Sequence, residues 1–438
     1  MPSTRALLTA AVAASCTCGC AVTAQRDTGI GIADLEARVR EGQKPYTPDC
    51  TSYDGLPTAD EFEAITKENT PVVFRNAWLA FGPRVRKWGS RAYLLEKLGH
   101  LVNPTSLFDL DRAKDGGDRF STRAIRSKKT GKYNLLLPYK EDWTIRQLIE
   151  YDWRGEDNPN QRGERRRVLA FAEQADSYNL DEFVSSPPPG EPCEDPVTVP
   201  ELHADVALGA FLRDSYAELV HFNLWLGKIP DAKDGRHPGR EAAGSEHAGP
   251  EGGGHEGAPP AKDQPAPGRF VKEATLHYDP NDNLLLMLSG TKTVNMYADA
   301  DRENVYDQKM PQYDRQDPWD PEARLAKPRY EGDVISERNN FSPFNPLKPD
   351  FVNLPKARHA RRKTCTLQPG DMLYMPALTW HQVISTPDEH ELNIAANMWF
   401  YAKCGDTSPY TRVPMAVCGQ FGDEVAGEDF RDEGGQYD

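Results

Sequence analysis

Two histidines and one aspartate in the second half of the chain have the residue types and spacing of a metal site. His277 and Asp279 are separated by one residue, so on a β-strand both side chains point to the same face. A second histidine, His381, follows later, beside Trp380. Two histidines and one carboxylate make the facial triad that holds non-haem Fe(II) and leaves coordination positions open. We therefore predict that His277, Asp279 and His381 bind one iron ion. His381 considered alone could instead be a core histidine packed beside Trp380.

The residues around this triad have the pattern of short strands joined by tight turns. An apolar run over 284–288 is followed by the turn pair Ser289-Gly290, and Lys292 then begins a return strand that brings a cation near the triad. Two further short strands, after a Pro-Gly-Asp turn, lead to His381. Short strands with a site on their inward faces indicate a double-stranded β-helix, the jelly-roll or cupin-like barrel. The predicted fold class is therefore mainly β, with flanking helices.

With these features the chain resembles the jumonji-C (JmjC) family of Fe(II)- and 2-oxoglutarate-dependent oxygenases, of the small hydroxylase type. The likeness extends over roughly residues 57–401, apart from one insertion. Within the family, the chain is most similar to the lysyl hydroxylases. The segments that carry the resemblance are Asn223–Gly227, Leu276–Asp279, Asn283, Ser289–Lys292, Pro346–Asp350, Gly370–Ala377, Trp380–His381 and Asn397–Trp399. The resemblance implies the JmjC form of the cupin-like barrel.

The resemblance also implies the co-substrates and the residues that bind them. The triad would hold Fe(II) as the catalytic centre, and 2-oxoglutarate and molecular oxygen would be consumed while a protein side chain is hydroxylated. Lys292 matches the family's basic residue that pairs with the distal carboxylate of 2-oxoglutarate, since a buried anion needs a cation. Asn283 and Asn397 match supporting amides, and Thr275 adjoins a position where relatives carry a threonine. A lysine at a strand edge and ordinary polar caps are the alternative explanations for Lys292 and the two asparagines.

Three positions depart from the family's pattern around the co-substrate. Ala274 stands where relatives have a threonine, Ala170 where they carry a tyrosine, and Ala172 in place of a nearby glutamine. Each lost hydroxyl or amide donor would weaken co-substrate binding by about 1 kcal/mol. Two functions therefore remain open. The first is a lysyl hydroxylase-like, Fe(II)- and 2-oxoglutarate-dependent protein hydroxylase, and the second is a non-catalytic barrel that binds a partner.

The charge of the chain disfavours nucleic acid as a partner. Its 438 residues include 67 acidic and 52 basic side chains, which gives a net charge of −15. Such a surface repels nucleic acid on average, so a basic protein or peptide substrate is the better match, with simple solubility as the alternative. No segment has the length and apolar composition of a membrane span. The C-terminal tail carries no apolar helical stripe of the kind with which family members dimerise, and the oligomeric state stays open.

The start of the chain has the composition of a targeting segment. Arg5, an Ala- and Leu-rich stretch and a small-residue exit resemble a secretory signal peptide, which predicts the secretory pathway or the lumen of the endoplasmic reticulum. Another organelle or the cytoplasm is the alternative. The predicted order of segments is a targeting peptide over 1–24, an N-terminal arm over 25–56, the N-terminal part of the JmjC-type domain over 57–227, a disordered low-complexity insertion over 228–268, the barrel core with the metal site over 269–403 and an acidic tail over 404–438.

Helices are predicted outside the barrel strands. Thr58 caps one helix, and the further helices are predicted over 90–98, 143–150 and 208–220. Cys404 and Cys418 could pair near the C-terminus, or they could remain free thiols.

Overall fold

The described part of the chain consists mostly of β-strands. The computed structural model describes residues 46–109, 123–127, 130–136, 139–151, 168–172, 202, 205–207, 209, 211–212, 216–229, 272–279, 282–313, 337–338 and 340–402. The strands are β1 (Thr51–Asp54), β2 (Val72–Arg75), β3 (Val102–Asp109), β4 (Arg123–Arg126), β5 (Tyr133–Leu136), β6 (Tyr139–Thr144), β7 (Val168–Ala172), β8 (Tyr216–Lys228), β9 (Lys272–Glu273), β10 (Asp282–Ser289), β11 (Thr291–Tyr297), β12 (Met310–Tyr313), β13 (Glu337–Arg338), β14 (Lys363–Leu367), β15 (Met372–Met375), β16 (Trp380–Thr386) and β17 (Leu392–Ala402). The α-helices are α1 (Ala59–Lys67), α2 (Arg91–Leu98) and α3 (Ile145–Glu150), and short 3-10 helices lie at Trp78–Ala80, Val85–Gly89, Asp299–Asp301 and Pro355–His359.

The strands form a large sheet, a small sheet that packs against it, and a third sheet of four strands. The large sheet has the order β1-β2-β15-β10-β17-β8-β7-β3-β6, and the small sheet has the order β14-β11-β16-β9. The third sheet has the order β13-β12-β5-β4. Consecutive strands β10 and β11 belong to different sheets, as do β14 and β15 and also β15 and β16. This repeated crossing between two sheets is the jelly-roll arrangement, so the predicted fold class is confirmed.

A shared core shows that the large and small sheets pack face to face. Leu285 of β10 and Val294 of β11 belong to one buried cluster between the sheets. The alternate residues of β10, such as Leu284, point to the opposite face and pack with Phe62 of α1 in a second cluster. Both faces of the large sheet are therefore covered, and every residue of β10 before Ser289 is buried.

Helix α1 begins with the capping arrangement that the sequence predicts. The hydroxyl oxygen of Thr58 accepts from the backbone N–H of Glu61 at 3.3 Å, and the Glu61 carboxylate accepts from the backbone N–H of Thr58 at 2.8 Å. The prediction for this helix is confirmed, and so is the helix over 90–98. The helix predicted over 143–150 begins at Ile145, because Trp143 still belongs to β6.

Two predicted boundaries around β8 are wrong. The helix predicted over 208–220 cannot extend past Tyr216, because β8 begins there and pairs antiparallel with β17. An apolar segment buried on one face can follow either periodicity, and sheet pairing decides it here. β8 then continues to Lys228, the first residue of the predicted insertion. Lys228 Nζ lies 3.3 Å from a carboxylate oxygen of Glu391 and donates to the backbone carbonyl of His390 at 3.1 Å.

The other predictions for the ends of the chain and for the insertion fall outside the described residues. These are the targeting peptide, the acidic tail with Cys404 and Cys418, and the remainder of the insertion from residue 230 onward. No helix in the described ranges is long and apolar enough to cross a membrane.

A disulfide bond joins Cys50 to Cys365, a pair that the sequence does not indicate. It links the segment before β1 to strand β14, and Lys363 of β14 also donates to the backbone carbonyl of Asp49. The N-terminal arm is thus fastened to the small sheet at two adjacent points, while β1 itself pairs in parallel with β2 in the large sheet.

Gly290, which joins β10 to β11, is predicted to contribute to the stability of the folded state. Its φ of +75° suits glycine, and a Cβ atom there would lie 2.5 Å from the Thr386 carbonyl oxygen. We expect Gly290→Ala to lower the free energy of unfolding by roughly 2–4 kcal/mol, because backbone strain and steric overlap add. Gly55 is the matched control, since its φ is +78° and a Cβ there meets nothing within 4 Å. Urea denaturation of both variants measures the difference, and equal losses would contradict the steric explanation.

Candidate metal centre

The backbones of His277 and His381 pair directly with each other. The N–H of His381 donates to the carbonyl of His277 at 2.7 Å, and the N–H of His277 donates to the carbonyl of His381 at 3.1 Å. His381 lies in β16 of the small sheet, whereas His277 lies just before β10 of the large sheet. The two imidazole ring centroids are 4.3 Å apart. Backbone pairing therefore places the two rings side by side.

The three predicted metal ligands come together at one point. The atoms that His277, Asp279 and His381 could offer to a metal lie within 4.8 Å of one another. Nε2 of His381 lies 3.6 Å from Oδ2 of Asp279. The backbone carbonyl of Asp279 accepts from the N–H of Leu378 at 2.8 Å, which holds the aspartate against the turn that precedes β16. No other trio of histidine, cysteine or acidic side chains in the described part of the chain converges in this way.

Both histidines are held in the tautomer that suits metal coordination. Nδ1 of His277 lies 2.7 Å from the backbone carbonyl oxygen of Thr275, and Nδ1 of His381 lies 2.8 Å from that of Thr379. A carbonyl oxygen can only accept, so each Nδ1 carries the hydrogen in these bonds. In the neutral ring, the lone pair then lies on Nε2, and in His381 this is the atom that faces Asp279.

Burial keeps His381 neutral. Removal from water, and then the neighbouring His277, lower the pKa of His381 to about 4, although Asp279 acts in the opposite direction. The imidazole is therefore uncharged at physiological pH. A neutral imidazole is the form that coordinates a metal.

Lys292 is a buried cation on the same face of the small sheet as His381. Its Nζ donates to the Ser385 hydroxyl at 2.8 Å, and the side chain is 4% exposed. Strand register places Lys292 opposite Ser385 and Met296 opposite His381, and residues four apart on a strand share a face. Among the described residues, no acidic side chain forms an ion pair with Lys292. Burial, and then the charge of Lys272, lower the pKa of Lys292 to about 7. A buried ammonium beside a hydroxyl is suited to bind an anion.

Lys272 is a second lysine of this region that the sequence reasoning missed. It lies in β9, which pairs with the other edge of β16, and it is opposite Ser385 in the register. Residues that lie directly opposite each other point to the same face about 5 Å apart, so Lys272, Ser385 and Lys292 form one row across the small sheet. Lys272 is 5% exposed. β9 has only two residues and follows the insertion, so no sequence pattern could indicate its position.

The predicted amides lie together on the large sheet. Asn397 Nδ2 donates to Asn283 Oδ1 at 3.2 Å, and the indole N–H of Trp225 donates to Asn397 Oδ1 at 2.7 Å. Both asparagines are buried, so this chain of hydrogen bonds fixes their orientation. Thr275 supports the metal centre through its backbone carbonyl, which accepts from His277.

Ala170 and Ala172 lie in β7, which pairs antiparallel with β8. They pair with Lys228 and Leu226 of β8. Leu226 packs in the core on the helix-covered face of the large sheet, the face away from Asn397. That Ala170, Ala172 and Ala274 each remove a donor from the co-substrate site stays a prediction.

Lys292 is predicted to make stability depend on pH above neutrality. Its pKa is about 7 in the folded protein against an ordinary 10.5, so between these values the unfolded chain binds a proton that the folded protein does not. This lysine therefore makes the free energy of unfolding highest above about pH 10.5, lower as pH falls to about 7, and constant below that. Lys292→Met should remove this slope and stabilise the protein at pH 7 by roughly 1–4 kcal/mol. Urea denaturation across this range tests it, and parallel curves for the two proteins would contradict it.

Comparison with known proteins adds an independent line of evidence. The lysine-specific demethylase JMJ31 of Arabidopsis thaliana is 27% identical over 138 residues, which is 31% of this chain and 20% of that protein. The bifunctional peptidase and (3S)-lysyl hydroxylase JMJD7 of Homo sapiens is 28% identical over 143 residues, which is 30% of this chain and 39% of that protein. The tRNA wybutosine-synthesizing protein 5 of Danio rerio is 31% identical over 109 residues, which is 25% of this chain and 24% of that protein.

These matches span between a fifth and two fifths of the relatives' own length. The match to a family model is much longer. The model described as "Cupin-like domain" matches residues 58–406, which is most of the 438-residue chain. The chain belongs to the cupin-like, JmjC-type domain family.

Proposed function

We propose that this protein is an Fe(II)- and 2-oxoglutarate-dependent oxygenase that hydroxylates a side chain of a protein or peptide. The observation that carries the proposal is the convergence of His277, Asp279 and His381, with both histidines held so that Nε2 is free to coordinate. Family membership supports the same reaction class.

The residues fit the metal that the family implies. Two imidazole nitrogens and one carboxylate are the donor set of non-haem Fe(II) oxygenases. His277, Asp279 and His381 would hold the ion, and the carbonyls of Thr275 and Thr379 would keep the two rings oriented. When bound, Fe(II) and 2-oxoglutarate supply the oxidising chemistry, in which oxygen is consumed, the oxo acid becomes succinate and carbon dioxide, and one oxygen atom enters a C–H bond of the substrate.

Lys292 has the position and chemistry to hold the distal carboxylate of 2-oxoglutarate. It lies four residues along β11 from Met296, the register partner of His381, or roughly 13 Å at 3.3 Å per residue. A five-carbon diacid and an extended lysine side chain together can bridge that span. The carboxylate would supply the counter-charge that Lys292 lacks among the described residues, and the charge of Lys272 would add to the attraction.

A lysine side chain of a basic peptide is the substrate that we favour. A net charge of −15 attracts basic partners, and the human relative's name describes a lysyl hydroxylase.

A non-catalytic barrel that binds a partner is the second candidate, and Ala274 supports it by removing a hydroxyl donor near the co-substrate. The Cys50–Cys365 disulfide supports maturation in an oxidising compartment such as the secretory pathway.

Turnover of 2-oxoglutarate by the purified protein tests this function. With Fe(II) and oxygen, the wild type should release succinate, and the release should increase with lysine-containing basic peptides. Mass spectrometry of the peptides identifies the reaction, because hydroxylation adds one oxygen atom whereas demethylation removes a methyl group. If the wild type binds iron but consumes no 2-oxoglutarate with any peptide, the non-catalytic barrel is the correct interpretation.

Lys292→Ala should abolish this turnover while metal binding survives. The expected loss in 2-oxoglutarate affinity is about 2–5 kcal/mol, since a buried carboxylate would be left without its cation. Lys292→Arg should restore only part of the activity, because the guanidinium group is bulkier than the ammonium. Lys356→Ala is the matched control, as its exposed side chain forms a surface ion pair with Glu303. Normal turnover by Lys292→Ala, measured beside that control, would show that the anion site is assigned wrongly.

A further inference from the structure

Tyr46, in the segment that precedes β1, is buried between the two sheets. Tyr46 is 3% exposed and belongs to the same buried cluster as Met296 and Met375. Met296 is the register partner of His381, so Tyr46 reaches the part of the core that adjoins the metal centre. The sequence assigns this segment only to an N-terminal arm, without a role.

Tyr46 contacts the turn that orients two of the three metal ligands. Its hydroxyl lies 2.8 Å from the hydroxyl of Thr379, and this contact is buried. The backbone carbonyl of Thr379 accepts from Nδ1 of His381, and the N–H of the preceding Leu378 donates to the carbonyl of Asp279. One turn therefore contacts both His381 and Asp279.

This turn has a conformation that needs support from its surroundings. Leu378 has a φ of 62°, in the left-handed region that bulky residues rarely adopt. Such a residue persists where neighbouring contacts hold it, and these conformations concentrate at functional sites. Within the described residues, Tyr46 supplies a side-chain hydrogen bond to the turn from outside the barrel strands.

The segment that carries Tyr46 is attached to the small sheet by the Cys50–Cys365 disulfide. Cys50 follows Tyr46 by four residues and is bonded to β14, and Lys363 of the same strand holds the backbone carbonyl of Asp49. Without the disulfide, the segment would keep the Lys363 contact and the pairing of β1 with β2. The disulfide is the covalent part of this attachment.

We propose that Tyr46 is a positioning residue for the metal centre, that it acts on His381 and Asp279 through Thr379, and that the Cys50–Cys365 disulfide holds it in place. Metal affinity then depends on the redox state of this cysteine pair. A dithiol reductant delivers two electrons and two protons to the disulfide, giving two thiols while it becomes a disulfide itself. This inference rests on the proposed metal centre.

Tyr46→Phe tests the positioning role, because it removes one hydroxyl and keeps the ring. The readouts are the affinity for Co(II) and the visible absorption spectrum of the Co(II) protein, neither of which requires turnover. We expect a loss of about tenfold or more in affinity and an altered spectrum, as for other residues that orient metal ligands. Tyr53→Phe, at an exposed position of strand β1, should leave both readouts unchanged.

Variants of Thr379 separate positioning from a general loss of packing. Thr379→Val should weaken Co(II) binding as much as Tyr46→Phe does, and the double variant should be no weaker than either single one. Thr379→Ser, which keeps the hydroxyl, should retain wild-type affinity. Additive losses, or a Tyr46→Phe protein that equals Tyr53→Phe, would overturn the inference.

The redox part is tested with a variant that cannot form the disulfide. The wild type is first reduced with a phosphine, which becomes a phosphine oxide by taking oxygen from water. The reagent is then removed, and the reduced protein is titrated with Co(II). Its affinity should fall to that of the Cys50→Ser, Cys365→Ser double variant, whose own affinity should be the same before and after the treatment. If reduced and oxidised wild type bind Co(II) equally, the disulfide has no such role. If oxidised wild type binds no metal, the proposed function itself fails.

Discussion

The reciprocal backbone pairing of His277 with His381 is the contact on which the rest of the site depends. It joins the segment between β9 and β10 to strand β16. At both places the chain passes from one sheet to the other. Backbone hydrogen bonds fix the positions of both Cα atoms. The two imidazoles are therefore held close together by the backbone and not by side-chain contacts alone. Asp279 lies two residues after His277, so in an extended chain its side chain points to the same side as the His277 imidazole.

Two lysine side chains are buried in the same small sheet, which would not be expected in a barrel selected only for stability. Lys292 and Lys272 both lie beside Ser385 in the interior face of the small sheet, and burial lowers the pKa of Lys292. Burying the Lys292 cation costs free energy, and the carboxylate of the proposed co-substrate would offset that cost. Functional sites commonly retain this kind of local conflict, and the extensive apolar core on both faces of the large sheet offsets it.

The sequence reveals those parts of the site that depend on local spacing, and it misses those that depend on distant contacts. His277 with Asp279 and the cap at Thr58 follow from periodicity and local hydrogen bonding. The neighbours of Ala170 and Ala172 in β8 depend on sheet register, which local spacing does not give. Tyr46 and Thr379 are 333 residues apart, so no local pattern could pair them.

An anaerobic titration with Fe(II) and 2-oxoglutarate tests the central claim most directly, because it detects the assembled site without turnover or a known substrate. A 2-oxo acid that chelates Fe(II) gives a visible charge-transfer band. The wild type should develop this band with saturable dependence on both components. Asp279→Ala should lose the band at the same concentrations, and Lys292→Ala should need far more 2-oxoglutarate to reach it. Absence of the band in the wild type, or an unchanged band in Asp279→Ala, would contradict the claim that this triad holds the iron.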